Sequence, residues 1–181
     1  MADEKKATPK GGDKERNGAE KKPPVSAFDA AAKYLSLSPR SEKEVRDRLY
    51  KKGYHKAEVE DAIARAKEYG YIDDVRYVAD FAEYYGAKLG HKKLEYKLVT
   101  EKGIPREIAM NGIADAVSEE EEREKAVSVA MKYVASKRIT ERKDLGKVGA
   151  YLWQRGFARD TIDHALDAVA ESLSCEDFDA R

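Results

Sequence analysis

An all-α fold of three tandem three-helix repeats is what this 181-residue sequence predicts, on three observations. Apolar residues recur at helical spacing, as in Val75, Val78, Phe81 and Ala82, and no stretch keeps the alternation of a strand between turn residues. A short signature recurs as well: Lys52-Gly53-Tyr54, Lys102-Gly103-Ile104 and Arg155-Gly156-Phe157 each set a base, a glycine and a large apolar residue in a row, 50 and 53 positions apart. Charge, which sums to zero over the chain, alternates in blocks. Residues 33–56 hold eight Lys/Arg against three Asp/Glu, and residues 58–80 hold three against seven. The same swing runs from 88–106 to 107–124, and residues 137–159 return to basic.

Fixed offsets tie the copies together. Four residues before each glycine stand Leu49, Val99 and Leu152, ten after stand Ile63, Ile113 and Leu166, and nineteen before the first two stand Tyr34 and Tyr84. In the third copy Tyr133 lies twenty-three before Gly156, so its first connection is longer.

Repeat 1, residues 27–73, reads as helices Phe28–Leu37, Glu42–Lys52 and Lys56–Tyr69. Ser38-Pro39 ends the first, Ser41 and Glu44 form a capping box for the second, and Gly53 stops it with Tyr54 packing back. Gly70 suits the left-handed position after the third helix, and Asp73 or Asp74 can cap the next one. Tyr71, Ile72, Val75 and Phe81 are expected to bury this joint. Repeat 2, residues 74–117, reads as Asp74–Ala87, His91–Lys102 and Pro105–Val117, with Pro105 at the first helical position. Repeat 3, residues 118–172, follows a second capping box, Ser118 and Glu121, and reads as Glu119–Ser136, Arg142–Gln154 and Asp160–Ser172, the last capped by Asp160.

Two ends are left out of the fold. Residues 1–24 carry seven Lys/Arg, five Asp/Glu, three Gly and three Pro with alanine as their only apolar residue after Met1, so a disordered tail is expected there. Residues 173–181 read as an acidic tail. With 39% charged residues, a mean hydropathy of −0.77 and no apolar run of signal or membrane-span length, the chain reads as cytoplasmic and off the membrane. The single Cys175 can form no internal disulfide.

Several function classes drop out. A helix, a glycine turn and a helix have the shape of a helix-turn-helix, but the helix after the turn must carry bases toward DNA. Here it is acidic: Glu58, Glu60, Asp61 and Glu68 in one copy, Asp160, Asp163, Asp167 and Glu171 in another. No phosphate-binding glycine loop is present, and His55, His91 and His164 sit in unrelated contexts, so neither catalysis, metal nor cofactor is expected. Asp73 and Asp74 read as caps rather than a catalytic pair. Tyr34, Tyr71, Tyr77, Tyr84, Tyr133 and Trp153 read as core residues rather than a base-stacking platform.

The run Ser38-Pro39-Arg40-Ser41-Glu42-Lys43-Glu44-Val45-Arg46 through Leu49, then Lys51-Lys52-Gly53-Tyr54, then Gly70-Tyr71-Ile72-Asp73-Asp74 with Arg76, Tyr77 and Phe81 behind it, and then Lys102-Gly103-Ile104, resembles the RecX family of bacterial regulatory proteins. The resemblance covers residues 28–171. It implies tandem three-helix repeats in an elongated, curved molecule, and a partner, the nucleoprotein filament of the RecA recombinase. Family members lodge in the filament groove and hinder its growth, which restrains its ATPase, strand-exchange and coprotease activities in recombination, DNA repair and the SOS response. The structural motif would be Gly53, Gly70, Tyr71, Ile72, Asp73, Asp74, Arg76, Tyr77, Phe81, Gly103 and Gly156.

What could carry such a function in these residues is the bases of the middle helices and their flanks. The candidates are Arg46, Lys51 and Lys52 in repeat 1, Lys88, Lys92, Lys93 and Lys97 in repeat 2, and Lys137, Arg138, Arg142, Lys143, Lys147 and Arg155 in repeat 3. If the repeats stack with a constant rotation, these rows align into one basic surface for DNA phosphates or acidic parts of RecA. The chain is expected to be a monomer, and two other readings stay open: a non-sequence-specific binder of single- or double-stranded DNA, and an α-repeat adaptor for a different protein.

Overall fold

The computed structural model describes residues 25–179, and the tail expected over 1–24 lies outside them. Repeat 1 contains α1 (Ala27–Leu35), α2 (Glu42–Lys51) and α3 (Lys56–Glu68). Repeat 2 contains α4 (Asp74–Gly86), α5 (His91–Tyr96) continued by a π-helical turn (Lys97–Glu101), and α6 (Arg106–Ala116). Repeat 3 contains α7 (Glu119–Lys137), a 3-10 turn (Arg142–Asp144) leading into α8 (Leu145–Gln154), and α9 (Arg159–Asp179). No strand occurs among the described residues.

Local chemistry explains most helix ends. Ser41 and Ser118 each accept from the N–H three residues on while Glu44 and Glu121 reach back to the cap, so both capping boxes form. Asp73, not Asp74, caps α4, accepting from the Arg76 N–H at 3.0 Å. At Gly53 and Gly156 the same two bonds close the helix: the glycine N–H donates to Tyr50 or Trp153, and the following aromatic N–H donates to Leu49 or Leu152. Pro105 stands one position earlier than expected, as the cap of α6. The last helix begins at Arg159, so Asp160 lies in its first turn, and it runs on to Asp179, beyond the Ser172 end expected for it.

The π-helical turn is the main departure from the repeat. Ser41 caps α2 twelve residues before Gly53 and Asp144 leads α8 twelve before Gly156, but Gly90 caps α5 thirteen before Gly103. The extra residue is absorbed as a π turn, the usual accommodation of an insertion in a helix. Its effect on packing is direct: Leu98, five before the glycine, takes the buried place held by Leu49 and Leu152, and Val99 is only half-buried.

Three apolar clusters correspond to the three repeats. Val45, Leu49, Val59 and Ile63 centre the first, Val78, Leu94, Leu98 and Ile113 the second, and Val148, Leu152, Phe157 and Val169 the third. In each, the first and third helices pack on one another and the middle helix closes the triangle. Helix packing is therefore local to a repeat, as in solenoids, and the repeats join through turns.

Five expectations about the core change. Trp153 is 62% exposed, because Leu152 takes the inward position and the next residue on a helix turns about 100° away from it. Tyr84 is 72% exposed on the outer face of α4, because it stands two positions, about 200° of helix, past the buried Ala82. Tyr71 is exposed and lies on the rings of Phe28 and Tyr69, with Ile72 buried beside it. Val75 is exposed too, lining an open cleft with Pro105 and Ile108 between repeats 1 and 2. Phe81 is half-buried, stacked on Tyr77.

Candidate functional site

The repeats meet at two joints, and these decide which bases are free. At the first, the start of α2 lies on the turn of repeat 2. Ser41 Oγ donates to the Lys102 carbonyl at 2.8 Å, the Lys43 ammonium to the carbonyls of Thr100 and Glu101 at 3.2 and 3.3 Å, and the Lys102 ammonium to Glu44 at 2.8 Å. Tyr77 Oη donates to Glu44, and the Glu42 N–H to Asp74 at 3.3 Å. The Gly70–Phe81 motif is thus a splice: Gly70 ends α3 with φ +68, Asp73 starts α4, Asp74 and Tyr77 reach across to α2, and Arg76 is exposed.

Charge in this joint is balanced locally. Burial pushes the Glu44 carboxyl up, but hydrogen bonds from Lys102 and the Ser41 N–H outweigh it and hold it below the usual carboxylate range. Glu42 is likewise lowered, burial being offset by Lys67 and Arg46. Asp74 is raised, chiefly by burial. Lys102 is raised, its partial burial offset by the Glu44 hydrogen bond.

The second joint is made mostly by the main chain. Gly90 N–H donates to the Arg155 carbonyl at 3.0 Å, and the Arg155 guanidinium donates back to the Lys88 carbonyl at 3.1 Å while lying over the Tyr151 ring. Glu122, only 6% exposed, accepts the His91 N–H at 2.8 Å, a carboxylate placed at a helix start where the backbone dipoles favour it.

The candidate bases fall into two groups. Arg46 is held by Glu42 and Glu60, Lys97 pairs with Glu101, Lys143 with Glu141 and Lys147 with Asp144, Arg142 bonds Ser174 and the Ala170 carbonyl, and Arg155 belongs to the second joint. Within repeat 1, Arg46 of α2 pairs with Glu60 of α3, and Lys67 of α3 pairs in the opposite sense with Glu42 of α2, so part of the charge on both helices is spent between them. Lys51, Lys52, Lys88, Lys92, Lys93, Lys137 and Arg138 make no ion pair among the described residues. Arg138 takes φ +52, left-handed backbone that costs a side chain about 1–2 kcal/mol.

Among the unpaired bases, the second joint adds aromatic surface. Lys92 Nζ sits 5.7 Å from the exposed Trp153 ring and Lys93 Nζ 5.5 Å from the exposed Tyr96 ring. Lys92, Lys93, Trp153, Gln154 and Phe157 line one shallow concavity there. Sequence reasoning found the lysines and missed the aromatics; the helical phase of Trp153 against Leu145, Val148 and Leu152 was the available signal. No group of three or more potential metal ligands occurs among the described residues, and no helix there is long and apolar enough to cross a membrane.

Comparison with known proteins gives a consistent picture. Residues 27–65 match the model of the first three-helix domain of RecX. The chain is 30% identical over 158 residues to the regulatory protein RecX of Clostridium botulinum (strain Alaska E43 / Type E3), spanning 86% of this chain and 72% of that protein. It is 30% identical over 151 residues to its counterpart in Vibrio vulnificus (strain CMCP6), spanning 82% and 95%. The crystal structure of RecX from Lactobacillus salivarius superposes with a TM-score of 0.69 at 25% identity, over 80% of this chain and 94% of that one.

Proposed function

The chain belongs to the RecX family of regulatory proteins, and from that premise we propose that it binds the RecA nucleoprotein filament and restrains filament growth, ATPase, strand exchange and coprotease activity, with no chemistry of its own. The observation that carries the contact surface is Lys92 beside Trp153 and Lys93 beside Tyr96, bases without ion pairs next to exposed rings, with the exposed and unpaired Lys88 in the same joint, where its carbonyl accepts from Arg155. Uncompensated cations attract phosphates and carboxylates; exposed rings give area that can be desolvated. Arg142, Lys143 and Lys147 are weaker candidates, since each already has a local partner. The test is the ATPase rate of RecA preassembled on single-stranded DNA. Folded protein added below one per RecA protomer should suppress it strongly, and no effect at any ratio would contradict the reading.

Trp153 favours a second reading, contact with single-stranded DNA itself, by base stacking flanked by lysines. Three phosphate contacts would give a log–log salt slope of about −2 on naked single strands. A flat salt response would remove this reading and leave the filament protein as the partner.

A further inference from the structure

Both joints share a plan. A helix start rests on the glycine turn and the first helix of the next repeat: α2 on the turn at Gly103 and on α4, α5 on the turn at Gly156 and on α7. The chain also crosses each joint in a single extended step. Ile72 is buried in the first cluster with its N–H on the Ala66 carbonyl, and Asp73, at φ −140 and ψ 99, already caps α4. Likewise Val117 is buried with its N–H on the Ile113 carbonyl, and Ser118 caps α7.

What differs is room to move. At the second joint the main chains touch: a Cβ on Gly90 would stand 2.5 Å from the Gly156 carbonyl oxygen, and one on Gly156 would stand 2.4 Å from the Lys93 nitrogen. At the first joint a Cβ on Gly103 meets the Lys43 side chain, and every hydrogen bond named there has a side chain at one end or both. Apart from the buried Ser41, those side chains are half-buried, so water can replace their bonds at little net cost. Packed main chain has no such freedom.

An open cleft beside the first joint gives a motion its direction. Arg46 and Lys67 line it from repeat 1, and Val75, Pro105 and Ile108 from repeat 2. Val75 is 62% exposed there, although it lies on the helix that repeat 2 packs upon. The charged ends of Arg46 and Lys67 are held by Glu42 and Glu60, so their methylene stems can cover apolar surface without stranding a charge.

We propose that repeat 1 is a hinged flap on a stiff unit formed by repeats 2 and 3. It turns at Asp73 while the side-chain bonds of the first joint yield, and the swing closes the cleft, bringing the Arg46 and Lys67 stems over Val75 and Ile108. The structure holds the open form; the closed form is a second population of the same chain. The hinge belongs to the free chain, so it stands or falls separately from the filament reading.

Pulsed electron–electron distance measurements on the full-length free chain test it, with nitroxide labels and Cys175→Ser in every variant. Ala64→Cys with Asn111→Cys spans the first joint, and Asn111→Cys with Asp167→Cys spans the second; all three sites are exposed and helical. Circular dichroism verifies that each variant keeps the helical content of the parent. The first pair should give a longer and a shorter distance, and the second pair one narrow distance. Lys43→Met with Lys102→Met removes three bonds made in the open form and no helix cap, and should enlarge the shorter component about twofold or more. Val75→Ser removes apolar surface that only closure covers, and should shrink that component by a similar factor. Arg155→Met, which takes a side-chain bond from the second joint, should leave the second pair unchanged. A single narrow distance for the first pair overturns the hinge, as does a second pair as broad as the first. A shorter component that ignores Val75→Ser overturns the closure.

Discussion

The two joints solve one problem with different materials. Between repeats 1 and 2 the contact is carried by side chains, namely Ser41, Lys43, Glu44, Asp74, Tyr77 and Lys102. Between repeats 2 and 3 it is carried largely by backbone: Gly90 on the Arg155 carbonyl, Gly156 against the Lys93 main chain, and the His91 N–H on Glu122. A joint of long side chains can give by a few tenths of an ångström, because rotamers move at little cost. A joint of main chain cannot, since the neighbouring atoms are fixed by their own helices. The first joint should therefore respond to charge and pH, and the second to volume.

Substitutions at the glycines sharpen this contrast. Gly156→Ala adds both left-handed strain and overlap with the Lys93 backbone, and should cost roughly 3 kcal/mol in urea denaturation. Gly90→Ala has ordinary φ but places a Cβ 2.5 Å from the Gly156 carbonyl oxygen, so about 2 kcal/mol is expected from overlap alone. Gly103→Ala meets only the Lys43 chain and should cost about 1–2 kcal/mol, part of it recovered when combined with Lys43→Ala. Equal losses at 103 and 156, with no coupling to Lys43, would break the distinction.

The first joint should also loosen in acid. Glu42 and Glu44 have folded pKa values lowered from normal, so their contribution is present above the ordinary carboxylate range and is lost as pH falls through the folded values, below about pH 4. Asp74, raised by burial, works the other way over the same range and blunts the effect. Thermal melts between pH 5 and pH 3 should therefore fall, and fall less in Glu44→Gln; identical profiles would contradict the assignment. The smallest effect concerns Arg138: Arg138→Gly relieves left-handed strain and should stabilise the fold by about 1 kcal/mol, a gain visible as a higher denaturation midpoint.

Much of this architecture was legible because it is locally encoded. The capping boxes at Ser41 and Ser118 and the glycine turns at 53, 103 and 156 are decided within a few residues, and a sequence shows those residues side by side. The π turn was hidden because one inserted residue leaves composition and periodicity intact; only the thirteen-residue spacing from Gly90 to Gly103 betrays it. The joints were hidden for the opposite reason, since Lys43 with Glu101 or Glu44 with Lys102 are pairs made across repeats by stacking. For the candidate site, helical neighbours such as Arg46 and Glu42 could have been paired on spacing. That Arg155 is spent on the second joint and that Trp153 faces outward needed the packed structure.

The central claim is that uncompensated bases beside exposed rings meet the filament. Its most direct test is the binding of two charge-reversed triples to RecA on single-stranded DNA across a salt series. One replaces Lys88, Lys92 and Lys93 with Glu; the other replaces Arg142, Lys143 and Lys147. The first triple should bind about tenfold or more weakly and with a flatter salt dependence, and the second should lose distinctly less. Equal loss in both, or none in the first, would contradict the account.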